Sequence, residues 1–221
     1  MPVHRISQLG VVNAYLVEEE DGLTLVDTLL PRAHKKLLAA AAALGAPIRR
    51  IVLTHAHGDH IGALDALAVA LPDAEILISA RDARLLRKDK SLDPDEPQAK
   101  LRGGFPGAKT RPTRTIAPGE RVGSLEVHAA SGHTPGQLTL LDTRDRTLYA
   151  ADAYSTLGGV ATTAKPNPRF PLPAMATWHK PTALATARAL RALDPARLAT
   201  GHGKVVEAPG AAMDRAIARA A

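Results

Sequence analysis

Residues 54–62 read THAHGDHIG and follow the apolar run Ile51–Leu53. Three histidines and an aspartate, His55, His57, Asp59 and His60, fall within six positions. Imidazole nitrogens and carboxylate oxygens bind zinc and similar divalent ions at about 2.0–2.2 Å. A cluster of this kind at the end of a predicted strand makes half of a metal site. The remaining ligands must then come from elsewhere in the chain.

Three later turns can supply them. His133 sits in GHTPG after the apolar-alternating LEVHAA, Asp152 ends TLYAAD, and His202 lies in TGHG after RLA. Strand ends along one edge of a layered α/β fold are where side chains distant in sequence converge. Five histidines and two carboxylates are too many for one tetrahedral ion and suit two ions, each keeping an open position for water. In HAHGDH a turn, with Gly58 freeing the backbone, is expected to face His55 and His57 to one ion and Asp59 and His60 to the other.

The order of elements agrees with such a fold. Alternation over Val11–Val17, then Asp21-Gly22, then LTLVDT predicts a hairpin. Residues 31–45 are bounded by Pro31 and Gly45 and read as a helix, and so does IGALDALAVAL at 61–71. AEILISA (74–80) reads as a buried strand, and SLEVHAA, QLTLLDT and RTLYAAD as three strands joined by tight turns. The Pro-rich 164–173 is expected to be a loop. Helices are expected at 181–193 and 208–220, with a strand and turn at 197–203. The chain reads as one domain over residues 1–221, of layered α/β (α+β) class.

Composition narrows the chemistry. The chain has no cysteine, which excludes disulfides, thiolate ligands and a cysteine nucleophile. Six aromatics in 221 residues weaken any reading that needs an aromatic base-stacking platform. Net charge is +6, and residues 81–121 hold eleven Lys/Arg against six Asp/Glu. That stretch reads as a solvated face, with a phosphate guide as the alternative. Neither a secretory signal pattern nor a membrane-span run is present, so the default expectation is a cytoplasmic protein with no membrane partner.

The ordered set LVDT, THAHGDH, GHTPG, the AD turn and GHG resembles the metallo-β-lactamase superfamily across nearly the whole chain. The resemblance implies a four-layer αββα sandwich with a two-metal site at one edge. Carried over by position, it puts His55, His57 and His133 on one ion and Asp59, His60 and His202 on the other, with Asp152 bridging. Asp27 is then either a residue that supports the ligand loop or a simple turn aspartate. The implied cofactors are two divalent ions, zinc first, with Mn, Fe and Co also suited. The implied chemistry is hydrolysis by a hydroxide held between the two ions, with Asp59 orienting it and moving its proton.

Departures from known branches narrow the substrate. His57 stands where the di-iron flavoprotein branch resembles this pattern but carries Glu. Asp152 is the bridging residue that true β-lactamases of the family lack. AYSTLGGV after Asp152 is unlike the corresponding stretch of glyoxalase II and persulfide dioxygenases. What remains is similar to small hydrolases of carboxylic esters, lactones or thioesters, with weak β-lactamase side activity allowed. The quorum-quenching lactonases carry a substrate-contacting Tyr three residues after the bridging Asp. Here Tyr154 is two residues after Asp152, and it is the second catalytic candidate beside Asp59. A small molecule is the expected partner rather than nucleic acid, and a homodimer is compatible with the reading. The alternatives are a metal-dependent phosphodiesterase or nuclease and a non-catalytic metal-binding scaffold. His4, His34, His128, Trp178 and His179 are assigned to core or surface, and substrate selection to the segments 81–121 and 158–173.

Overall fold

The computed structural model describes residues 2–221. One sheet runs in chain order through β1 (His4–Gln8), β2 (Val12–Glu19), β3 (Gly22–Val26), β4 (Ile48–Val52), β5 (Glu75–Ser79) and β6 (Arg114–Ile116). Its first three strands are antiparallel and its last four parallel. The second sheet contains β7 (Arg121–Val122), β8 (Leu125–Ala129), β9 (Leu138–Asp142) and β10 (Thr147–Ala151). A small hairpin, β11 (Tyr154–Ser155) with β12 (Ala161–Thr162), stands apart. The chain then returns to the second sheet as β13 (Arg197–Thr200) and β14 (Val206–Glu207), giving the order β14-β13-β10-β9-β8-β7.

Side-chain alternation along the strands sorts the core into three apolar interfaces. In β2, Ala14 and Leu16 join one cluster while Tyr15 and Val17 join another. In β10, Tyr149 faces the other sheet while Leu148 and Ala150 face outward to helices. Opposite faces of a strand point to opposite layers, so a strand buried on both faces reads as a continuous apolar run. The first outer layer holds α1 (His34–Ala43), α2 (Gly58–Ile61), α3 (Leu64–Ala70) and α4 (Ala80–Leu86). Leu37, Leu64, Leu67 and Leu85 from this layer pack on Leu25, Ile51 and Ile78. The second outer layer holds α5 (Leu172–Met175), α6 (Lys180–Ala192) and α7 (Gly210–Ala220), with Ala187, Leu190 and Met213 against Leu148 and Leu198. Three interfaces make four layers, αββα. Each fully buried leucine contributes about 1.5–3 kcal/mol.

The Asp21-Gly22 hairpin forms as expected, with Glu19 paired to Gly22. Gly22 is needed there, since a Cβ would stand 2.6 Å from Pro47 O. The helix expected over 61–71 is instead two, α2 and α3, parted at Gly62, where the chain at Leu30-Pro31 leaves no room for a Cβ. The expected turn in HAHGDH is correspondingly a turn of helix. His57 is its extended N-cap, and Gly58, Asp59 and His60 lie within it. Gly58 adopts no left-handed conformation; its smallness lets Pro106 approach. The short strands β1, β6 and β7 were not anticipated, because each buries a single apolar residue and carries no alternation long enough to read.

Residues 87–113 have no regular structure beyond turns. The Asp65 carboxylate anchors this stretch at Lys109 N and Thr110 N, and Trp178 Nε1 donates to Ala99 O. Two of its carboxylates are matched by cations of α4, Glu96 by Arg81 and Asp93 by Arg84.

Candidate metal centre

Parallel pairing of β3 with β4 and of β10 with β13 brings their carboxyl ends to one edge of the sandwich. Hydrogen bonds tie the two sheets together at that edge, Leu138 N to Thr54 O and Asn13 N to Gly201 O. The THAHGDH segment leaves β4, GHTPG joins β8 to β9, Asp152 follows β10 and His202 follows β13. Ligand atoms of His55, His57 and His133 lie within 4.8 Å of one another, as do those of His55, His60 and Asp152, and those of Asp59, His60 and His202. His57 Nδ1 and His133 Nε2 approach to 2.9 Å. Asp152 reaches into both groups, its Oδ2 3.4 Å from His133 Nε2 and 3.1 Å from His202 Nε2, and its Oδ1 3.6 Å from His60 Nε2. Asp59 Oδ2 stands 3.5 Å from His202 Nε2 and 3.8 Å from His60 Nε2. All seven sequence-predicted ligands therefore meet in one place.

The outward nitrogens decide which nitrogen of each imidazole is left for a cation. His57 Nε2–H donates to Arg102 O (3.0 Å) and His202 Nδ1–H to Val11 O (3.1 Å). His60 Nδ1–H donates to Asp27 Oδ2 at 2.8 Å. Thr54 Oγ1 donates to Asp27 and Thr177 Oγ1 to Pro173 O, so each hydroxyl is left to accept, from His55 Nδ1–H and His133 Nδ1–H. Every imidazole thus has one nitrogen satisfied by a protein oxygen and the other aimed into the cluster. Partners of this kind fix the orientation of metal-binding histidines. Buried His55 Nε2, His60 Nε2 and Asp152 Oδ1 have no hydrogen-bond partner. Orphaned buried polar atoms are costly, and a cation among them removes that cost.

Electrostatics divide the two groups. Burial drives His55 and His133 well below the usual imidazole range and lowers His57, so these rings are neutral donors at pH 7. Burial also opposes a charge on His60, but Asp27, Asp59 and Asp152 outweigh it and push this ring up to about 10. Asp152 is held well below the carboxylate range because His202, His60 and His133 outweigh its burial. His202 is raised, its burial outweighed by Asp152. Asp59, His60 and His202 would hold a divalent cation in place of the proton that the raised pKa keeps on His60.

A model of the metallo-β-lactamase superfamily matches residues 8–202, a span containing all seven of these side chains. The chain belongs to the metallo-β-lactamase superfamily. Among similar proteins, uncharacterized protein YobT of Bacillus subtilis (strain 168) is 46% identical over 210 residues, covering 95% of this chain and 90% of YobT. The probable metallo-hydrolase YflN of the same organism is 27% identical, over 91% of this chain and 83% of YflN. Among solved structures, TTHA1623 in a di-iron-bound form superposes with a TM-score of 0.67 at 25% identity, over 95% of this chain and 96% of that one. The DIM-1 metallo-β-lactamase superposes at 0.72 over 99% of this chain and 91% of its own, but at 18% identity this likeness concerns the fold alone.

Within this superfamily site, Asp27 supports the ligand loop, its carboxylate accepting from Thr54 N, Thr54 Oγ1 and His60 Nδ1. Tyr154 does not line the cleft. It lies in the core between the second sheet and the outer helices, and its hydroxyl donates to Ala187 O at 2.7 Å. This placement corrects the expected substrate contact. The reason lies in the backbone: Ala151, at φ +47°, begins a turn closed by Ala153 N to Ala150 O, which sends Asp152 to the ligands and Tyr154 back towards α6. His4 pairs with Glu18, His128 with Glu126, and neither they nor His34 or His179 join the centre.

Two supporting features escaped sequence reasoning. Asp82 is wholly buried and accepts from Ala56 N, Thr134 Oγ1 and Gly136 N, bracing the HAHGDH segment against GHTPG. Burial pushes its carboxyl up to about 6 against the pull of those bonds. Its visible signal is Ser79-x-x-Asp82, a helix-capping pattern, and Ser79 does accept from Asp82 N. The second is the LRGGFPG segment, residues 101–107, which clamps His57 with Arg102 O, with Gly103 against the ring and with the Phe105 ring at 4.5 Å.

Proposed function

We propose that the protein is a dinuclear metal-dependent hydrolase of carboxylic esters, lactones or thioesters. The observation that carries this reading is the lining of the cleft. It is a cavity of about 220 Å³ in which His57, Asp59, His133, Asp152 and His202 meet apolar walls of Val11, Leu30, Phe170, Leu172 and Pro173. Among the described residues no lysine or arginine lines it, so beyond the ions themselves the cleft offers no side-chain cation to a phosphodiester or a β-lactam carboxylate. An uncharged acyl group with an apolar body fits such walls. The matched cations of Arg81 and Arg84 also weigh against the segment 81–121 as a phosphate guide.

The donor set fits two divalent ions: His55, His57 and His133 for one, Asp59, His60 and His202 for the other, and Asp152 shared. Zinc is our first choice, since five imidazoles and two carboxylates suit it. Bound there, the ions supply Lewis acidity and lower the pKa of water toward neutrality. The protein's own part is positioning. Six of the ligands are buried, whereas the Asp59 side chain is 32% exposed, at the mouth of the cleft. Asp59 accepts the proton of the attacking water and returns it to the leaving alkoxide or thiolate as the acyl C–O or C–S bond breaks. Apolar side chains around it exclude competing water, and no serine or cysteine nucleophile is needed.

Elemental analysis and a substrate panel test this reading. The panel holds p-nitrophenyl butyrate, a γ-lactone, an acyl thioester, bis(p-nitrophenyl) phosphate and a chromogenic cephalosporin. Two equivalents of divalent metal per chain are expected, with turnover of the acyl substrates that chelation abolishes and zinc restores. Undiminished turnover after metal removal would sink the mechanism. Faster cleavage of the phosphodiester would favour the nuclease reading, and no turnover at all a metal-binding scaffold. Tyr154→Phe is expected to leave kcat/KM within about twofold while costing about 1 kcal/mol of stability, read from denaturant midpoints, for the bond lost to Ala187 O.

A further inference from the structure

A second cavity, of about 740 Å³, opens on the other side of the 158–173 loop. Small-molecule pockets typically run to about 300–1,000 Å³. Its walls are the β11–β12 connection, the turn at 165–169 and one stripe of α7. Ala212, Arg215, Ala216 and Arg219 fall at helical spacing, so they share that face.

Four cations line this cavity, Lys165, Arg169, Arg215 and Arg219, and no carboxylate does. Elsewhere the chain matches many of its arginines: Arg84 to Asp93, Arg144 to Asp142, Arg191 to Asp214. Asp214, the acidic residue of α7, is thereby turned away from Arg215 and Arg219. Among the described residues none of the four lining cations makes an ion pair. The wall is nonetheless built. Lys165 Nζ donates to Arg219 O and Arg219 Nη2 to Val160 O, both at 2.7 Å, and each cationic group keeps further N–H donors. Gly158, at φ +78°, has no room for a Cβ, which would stand 2.6 Å from Arg169 Cβ. The Arg169 turn is therefore packed onto the hairpin.

Four like charges around one cavity repel, and an anion offsets that repulsion. A guanidinium fork takes paired oxygens of phosphate or carboxylate. Between the cations the walls are apolar: Val160, Pro166, Pro168, Ala212. We propose that this cavity is a second binding site, for a small organic anion with a phosphate or carboxylate head on a partly apolar body. It is separate from the metal centre but shares a turn with it. Phe170 N–H donates to Asn167 O, so the turn carrying Arg169 also carries Phe170, whose ring lies 5.3 Å from that of His202.

Calorimetric titration of the metal-loaded protein with pyrophosphate, AMP and octanoate, each alone, tests the site. One equivalent of at least one probe is expected to bind, weakened about tenfold or more by Arg169→Glu and by Arg215→Glu. Binding of the phosphate probes alone assigns a phosphate head, and of octanoate alone a carboxylate. Arg215 is exposed and unpaired on α7, so R215E remains decisive if a melting curve shows that R169E disturbs the hairpin. The readout needs no turnover and is independent of the hydrolase reading. Absence of saturable binding up to about 1 mM, or binding indifferent to R215E, overturns the proposal. Binding confined to polyuridylate or to phosphatidylglycerol vesicles overturns it too.

Discussion

Asp152→Asn is expected to lower kcat/KM for ester or lactone hydrolysis about a thousandfold or more, a loss of ~4 kcal/mol of transition-state stabilisation. Asp152 is the carboxylate that reaches both groups of histidines, with Oδ2 toward His133 and His202 and Oδ1 toward His60. The amide keeps the volume but carries no charge, and its NH2 group turns a donor toward atoms that must meet a cation. Metal content is expected to fall below two equivalents while the circular dichroism spectrum stays unchanged. A variant that kept two ions and native turnover would show that the shared carboxylate plays no part in the chemistry.

Gly103→Ala is expected to cost about 10–100-fold in kcat/KM and to weaken one metal equivalent to a similar degree. Gly103 belongs to no recognisable motif, yet a Cβ there would stand 2.3 Å from His57 Nε2. Its φ of +84° already disfavours an L side chain, by about 1–2 kcal/mol. The His57 ring cannot retreat without leaving Arg102 O, which belongs to the same segment, so Nδ1 loses its place beside His133 Nε2. Gly104→Ala is the control, because a Cβ there meets nothing within 4 Å. Equal effects at both positions would attribute the loss to general loosening of the loop and not to His57. Metal titration of the two variants separates these outcomes.

The parts legible in the sequence were those whose signal is local. Strand alternation in Tyr15–Val17 and Leu138–Leu141 gives side chains opposite faces whatever surrounds them, so the layered class follows from short windows. The ligand motifs are compact for the same reason, since each combines metal-binding types with small residues at a strand end. The helical break at Gly62 was not legible. It depends on the close passage of Leu30-Pro31, some thirty residues earlier, which apolar periodicity does not record. Asp82 showed only its capping signature, while its larger work bridges two loops that lie more than fifty residues apart in the sequence.

By itself, the amino-acid sequence named the candidate donor set, His55, His57, Asp59, His60, His133, Asp152 and His202, and the resemblance carried by those motifs implied the αββα layering that gathers it at one edge. Only the tertiary structure decided which nitrogen of each imidazole is left free to meet a cation. The deciding partners include backbone carbonyls of Arg102 and Val11 and a hydroxyl of Thr177, and a carbonyl has no side-chain signature to read. It also decided against Tyr154, because the left-handed turn at Ala151 changes which layer the next residues enter. Residue type sets what a side chain can donate. Its direction is set by the backbone path and by neighbours remote in the chain.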